Sequence, residues 1–317
     1  MTLDLLSTIK GSDLEHAFHE KWDLERIQSI VGQSWEEALD RQDFWHDGFE
    51  VEPADWFEEV HIKIGYEMAK AIKKAKENGQ KIGFLFPISP TGQYRWCVYF
   101  IRQWKIKCDH VYGFSMDDWS DMDGNDQNVF NQAIIDVFYN PLGEYTVPEN
   151  QRNYATVEGL PSYAEKMRKL QEEGGKIVLV YSVGWPGHFA FNDSAWADAY
   201  DNMDDYLKED YRIAGKVDWM TFEENSCMGF KSNFTAVSAR ANSVSTGLMS
   251  RADYSIGGIL ANMPGTSHNW QGLFAWITLR YRPDMYMPCS ILPTIPGKFF
   301  IVKDVVSIKE PYKLRVD

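Results

Sequence analysis

Apolar residues in this chain fall into short unbroken runs, separated by longer segments in which they recur every three or four positions. Three runs have strand length: "KIGFLFPI" (81–88), "HVYGFSM" (110–116) and "KIVLVYSV" (176–183). A strand that is apolar at successive positions is covered on both faces, as in a parallel sheet. Between the runs the period changes. "WFEEVHIKIGYEMAKAIKKAKENG" (56–79) reads as an amphipathic helix with lysines in its last turns and Gly79 as its stop. "YRWCVYFIRQW" (94–104), "QNVFNQAIIDVFY" (127–139) and "SYAEKMRKLQEEGG" (162–175) read as further helices. Strands alternating with helices predict an α/β fold, a Rossmann-like, mostly parallel sheet with helices on both faces. Residues 54–317 form this domain. Residues 1–53 read as a helical extension packing on it, acidic and with exposed-looking aromatics in "SWEEALDRQDFWHDGFEVEP" (34–53).

Composition narrows the class. The chain has 317 residues, 44% hydrophobic, with 12 tryptophans, enough for one large core. A net charge of −14 argues against a general nucleic-acid partner, which requires a basic face. No run approaches the roughly 18 apolar residues of a membrane span, and the N-terminus lacks the basic and apolar regions of a secretory leader. The four cysteines show no C-x-x-C spacing, so a reduced, cytoplasmic protein is expected.

In such a sheet, ligands sit beyond the carboxyl ends of the strands. Each apolar run feeds a polar loop there. In "SPTGQYR" (89–95), Thr91 and Gly92 precede a helix start, where free N–H groups suit a phosphate or sugar hydroxyls, and Arg95 follows one turn on. In "DDWSDMDGND" (117–126), the spacing fails the calcium-loop pattern, which leaves a solvated acidic loop. Asp117 differs, as the first residue after the strand, where a carboxylate can move a proton between adjacent carbons. In "GWPGHFAFND" (184–193), Gly187 allows close backbone approach, His188 titrates near neutrality and Asp193 can orient it. No Walker loop, G-x-G-x-x-G turn, G-x-S-x-G elbow or H-x-H pair is present, so neither cofactor nor metal is expected.

The three loops, in this order, resemble the glucosamine-6-phosphate deaminase/isomerase family, which shares its fold with the 6-phosphogluconolactonases. "ISPTGQY" is similar to the family's L-P-T-G-G/S-T-P, "FSMDDW" to F-x-M-D-E-Y, and "SVGWPGHFAFND" to G-x-G-x-D-G-H-I-A-F-N-E. The resemblance covers about residues 54–292. It implies a sugar-phosphate substrate, with Asp117 shuttling a proton between C1 and C2, His188 helping to open the ring and Asp193 supporting His188. Thr91, Gly92 and the adjoining Gln93, with Gly187, would bind the substrate. The family's phosphate-pairing lysine is matched by His268, so Arg95, His268 and Arg251 remain for an anion. The family's aspartate before Gly-His is Pro186 here. The implied activity is that of an amino-sugar-phosphate isomerase or deaminase, in a chain that can form a homo-oligomer. The alternatives are a sugar-phosphate binder that has lost catalysis, and a lactonase-like hydrolase.

Overall fold

Ile82–Phe86 is buried at all five positions because it sits at the middle of a sheet with helices on each side. The computed structural model describes residues 6–32, 34–260 and 270–306. Its strands are β1 (Phe49–Ala54), β2 (Ile82–Phe86), β3 (Val111–Ser115), β4 (Asp117–Trp119), β5 (Arg152–Asn153), β6 (Lys176–Ser182), β7 (Tyr211–Lys216), β8 (Arg240–Val244), β9 (Tyr254–Ile259) and β10 (Gly297–Val302). Seven of them form a sheet in the order β1-β10-β9-β6-β2-β3-β5, and every pairing in it is parallel. The other three form a small antiparallel sheet, β4-β8-β7.

The helices that cover the large sheet are α1 (Phe57–Glu77), α2 (Gly92–Trp104), α3 (Val129–Ile134, continuing as a π-turn to Tyr139) and α4 (Tyr163–Glu172). Two more, α5 (Trp219–Met228) and α6 (Gly272–Arg280), follow later in the chain. Alternation along β2 assigns the faces. Phe86 meets Tyr94 of α2 and Phe138 after α3, while Gly83, on the other face, lies under Leu170 of α4. Helices α1 and α2 approach closely at Gly65, where a Cβ would stand 2.6 Å from the Gln93 carbonyl oxygen and 2.8 Å from the Cys97 nitrogen. The α/β fold expected from periodicity is therefore the fold observed.

From β2 the chain steps outward to β3 and β5, then returns to the other side of β2 for β6. Strand order reverses there, the point beyond whose carboxyl ends such sheets place their ligands. Neighbouring strands, about 4.8 Å apart, thus deliver all three polar loops to one edge.

The N-terminal segment departs from expectation in two ways. β1 straddles the boundary drawn between residues 53 and 54, and it is hydrogen-bonded along β10 as the sheet's edge. The aromatics ahead of it are not displayed to solvent. Trp45 is 7% exposed and its indole N–H donates to the Leu279 carbonyl at 2.9 Å. Trp22 donates to Ser194 Oγ at 2.9 Å and to the Tyr286 carbonyl at 3.1 Å. An indole buries its apolar body when its N–H finds an acceptor, and the acceptors here come from late in the chain.

Candidate active site

The chain leaves β3 at Ser115, and one residue later it is in the other sheet. Met116 N–H donates to the Phe86 carbonyl at 3.0 Å, and Val244 N–H donates to the Met116 carbonyl at 2.8 Å. Asp117 then opens β4, opposite Ser243 of β8. The expected acidic loop is thus a strand at its start, because Trp119 is fully buried and packs on Phe191 with ring centres 4.4 Å apart. Solvated acid begins only at Asp121, whose carboxylate closes a turn by accepting from the N–H groups of Asp123 and Asn125, each at 2.9 Å.

Asp117 and Asp118 are neighbours in opposite circumstances. Asp118 is fully buried and accepts the backbone N–H groups of Trp119, Val129, Phe130 and Asn131 at 2.8 to 3.1 Å. It caps the start of α3, and burial, outweighing these four bonds, raises its carboxyl above the ordinary value. Asp117 is 7% exposed, and no described residue donates a hydrogen bond to it. Burial, and then the charge of Asp118, push its carboxyl up to about 8, against the opposing pull of His188.

His188 comes from the turn after β6. Gly187 N–H donates to the Gly184 carbonyl at 2.7 Å, Gly184 N–H donates to the His188 carbonyl at 2.9 Å, and Gly187 has φ +102°. Glycine is required at 187 by that φ, and at 184 because any Cβ would overlap the His188 ring. Asn192 locks the far side of the loop. Its amide donates to the carbonyls of Phe189 at 3.1 Å and Val244 at 2.9 Å, and it accepts Thr246 N–H at 2.8 Å.

Around the imidazole, His188 Nδ1 lies 3.1 Å from Asp193 Oδ1 and 2.8 Å from Thr221 Oγ1. Asp193 is 1% exposed and also accepts Thr221 Oγ1–H and Asp218 N–H, each at 2.7 Å. Nε2 lies 3.6 Å from a Glu224 carboxylate oxygen. Burial lowers the basicity of His188, but Asp193, then Glu224 and Asp117, outweigh it and hold the ring up at about 9. Glu224 itself is pushed up to about 7 by burial, against His188 and the Trp185 backbone. Asp218 also rises to about 7, by burial and the charge of Asp193.

These four groups fix the sign of a pH effect. Each binds its proton more tightly in the folded chain, so the native state carries more protons than the unfolded one and stability falls as pH rises. Stability is lost from 3.8 through about 8 for Asp117, 3.8 through about 7 for Asp218, 4.5 through about 7 for Glu224, and 6.5 through about 9 for His188. The melting temperature should therefore decline from about pH 5 to about pH 9. Scanning calorimetry across that range reads it, and a level or rising profile would contradict the cluster.

The structure thus joins Asp117, His188 and Asp193, and adds Thr221, Glu224 and Asp218, which the loop-by-loop sequence reading missed. Their signal was the i, i+3 spacing of Thr221 and Glu224 in "DWMTFEEN", which puts both on one face of α5. The first loop is less uniform. Thr91 and Gly92 sit beyond β2, between the ends of β6 and β3, and the His61 ring packs against Gly92. Gln93 is fully buried, and no hydrogen-bond partner meets its amide among the described residues. Arg95 is paired to Glu58, not free for an anion. Arg251 pairs with Asp210 and precedes β9, at the sheet end opposite the loops. His268 lies outside the described residues.

No family model matches the chain. A glucosamine-6-phosphate deaminase of Caenorhabditis elegans is 28% identical over 129 residues, which are 38% of this chain and 46% of the relative. The chain thus aligns with about half the length of that relative. Among solved structures, a monomeric glucosamine-6-phosphate deaminase superposes with a TM-score of 0.64 at 14% identity, over 82% of this chain and 99% of the other. A 6-phosphogluconolactonase from Plasmodium vivax superposes with a TM-score of 0.53 at 14% identity, over 80% and 91%. With its parallel seven-stranded sheet, the chain shares the fold of the glucosamine-6-phosphate deaminases and the 6-phosphogluconolactonases, and is similar in sequence to the former over part of its length.

Proposed function

We propose that the protein is an amino-sugar-phosphate isomerase or deaminase that works by proton transfer between C1 and C2. One observation carries this reading. A buried carboxyl that receives no hydrogen bond from the described residues and a buried imidazole lie within electrostatic reach of one another, beyond the ends of β3 and β6 on either side of β2, Asp117 titrating at about 8 and His188 at about 9. General acid–base groups are most effective when they titrate near the working pH.

In this mechanism His188 donates a proton to the ring oxygen as the sugar opens. As the carboxylate, Asp117 removes the C2 proton of the open-chain aldose, and the electrons pass to the C1 oxygen, giving an enol. Returning the proton to C1 leaves a ketose, or a C2 imine where C2 carries an amino group. Water adds to the imine and ammonia leaves. Asp193 holds the imidazole through Nδ1, so that Nε2 faces the reacting atoms. The backbone at Thr91 and Gly92, at the start of α2, is the place for the phosphate.

The test is incubation with glucosamine 6-phosphate in deuterated water. Deuterium at carbon with release of ammonia is expected, and saturable binding with neither would defeat the catalytic reading. A second reading, a sugar-phosphate binder without turnover, is favoured by one feature. In this closed arrangement His188 and Asp117 are only 8% and 7% exposed. Hydrolysis of 6-phosphogluconolactone in place of exchange would assign the lactonase reaction.

A further inference from the structure

The turn that carries His188 contains no carboxylate between Gly184 and His188, and Pro186 within it offers neither a charge nor an N–H. A carboxylate nevertheless reaches that turn from outside it. The backbone of Trp185, the residue just before Pro186, favours the charged form of Glu224, on α5. Its Oε2 stands 3.6 Å from His188 Nε2, and its side chain is 11% exposed.

One turn earlier on the same helix, Thr221 Oγ1 lies 2.8 Å from His188 Nδ1. Residues three apart on a helix share a face, so this face of α5 brackets the imidazole, with a hydroxyl at one nitrogen and a carboxylate at the other. The helix is anchored in this position. Asp218, its N-cap, donates its N–H to Asp193 Oδ2 at 2.7 Å, and Trp219 packs edge-on against Trp185 with ring centres 6.1 Å apart.

We propose that Glu224 is the second carboxylate partner of His188, a positioning residue that α5 supplies to a turn lacking its own. This deepens the proposed function and rests on it for its catalytic meaning, while the pairing itself is independent of any substrate. Nδ1 is engaged by Asp193 and Thr221, so the proton that moves is the one on Nε2. With no ligand bound, that proton passes between His188 Nε2 and Glu224 Oε2, giving either imidazolium with carboxylate or imidazole with carboxylic acid. Glu224 thereby fixes the ring's orientation and restores its charge after each transfer to a substrate. The titratable groups facing His188 are Asp193 in its own loop, Glu224 on α5 and Asp117 on β4, with Asp218 adjoining through Asp193.

The experiment is an imidazole titration of His188 by heteronuclear magnetic resonance in the full chain, for wild type, Glu224→Gln and Glu224→Asp. A nearby opposite charge raises such a midpoint by about 1–3 pH units. Glu224→Gln should therefore lower the His188 midpoint by about one unit or more, and Glu224→Asp should restore part of the difference. The same variants should shift the alkaline limb of the C2 exchange profile in parallel. An unmoved His188 midpoint in a folded Glu224→Gln protein overturns the proposal. If the glutamine variant does not fold, the Glu224 carboxyl resonance of the wild type decides the matter. Titration in step with His188 supports the pair, and independent titration at an ordinary carboxylate pH overturns it. Absence of exchange in the wild type would instead sink the proposed reaction, and would leave the magnetic-resonance result to judge Glu224.

Discussion

Asp117→Asn should lower C2 proton exchange by about two to four orders of magnitude, the range general for loss of a positioned acid or base. The amide retains the shape of the carboxyl and cannot take up a carbon-bound proton. Its effect on stability runs the other way at high pH. The folded chain holds Asp117 at about 8, against 3.8 as the ordinary value, so near pH 9 folding must bury a carboxylate whose burial and Asp118 neighbour outweigh the pull of His188. An uncharged amide removes that penalty. The variant should melt at the same temperature as the wild type near pH 4 and at a higher one near pH 9, a common relation where activity depends on a destabilised group. Exchange within tenfold of the wild type, in a folded Asp117→Asn protein, would remove Asp117 from the mechanism.

The adjoining residue should give the opposite result. Asp118→Ala is expected to destabilise the chain by about 3–5 kcal/mol, the scale for breaking a buried, charge-assisted network. Four backbone N–H groups lose their acceptor, among them those that begin α3. Urea unfolding monitored by circular dichroism measures this, and a loss below about 1 kcal/mol would show that water replaces the carboxylate without penalty. Two adjacent aspartates are thus separated by assay: the first variant is stable and inactive, the second unstable.

That contrast marks how far the residues could be read from the sequence. Asp117, His188 and Asp193 could be singled out because they lie in the loops that follow apolar runs, and strand ends in an α/β sheet are where ligands sit. Asp118 could not be, since three of the four N–H groups that hold it lie eleven or more residues downstream, from Val129 on. Glu224 and Thr221 were hidden for a similar reason. They lie on a short helix beyond the third loop, and only the folded small sheet brings that helix onto His188. The aromatics of the N-terminal segment looked exposed because their acceptors, at Leu279 and Tyr286, stand at the other end of the chain. Patterns within one element survive in a sequence, and partners supplied by distant elements do not.

The single residue between β3 and β4 has a mechanical consequence. Met116 is bonded through its N–H to Phe86 in the large sheet and through its carbonyl to Val244 in the small one, and Asp117 is the next residue. Asp117 therefore stands where the two sheets meet, whereas His188 lies in the turn that follows β6. Under the proposed reaction, the gap between acid and base depends on how the small sheet is set against the large one at Met116.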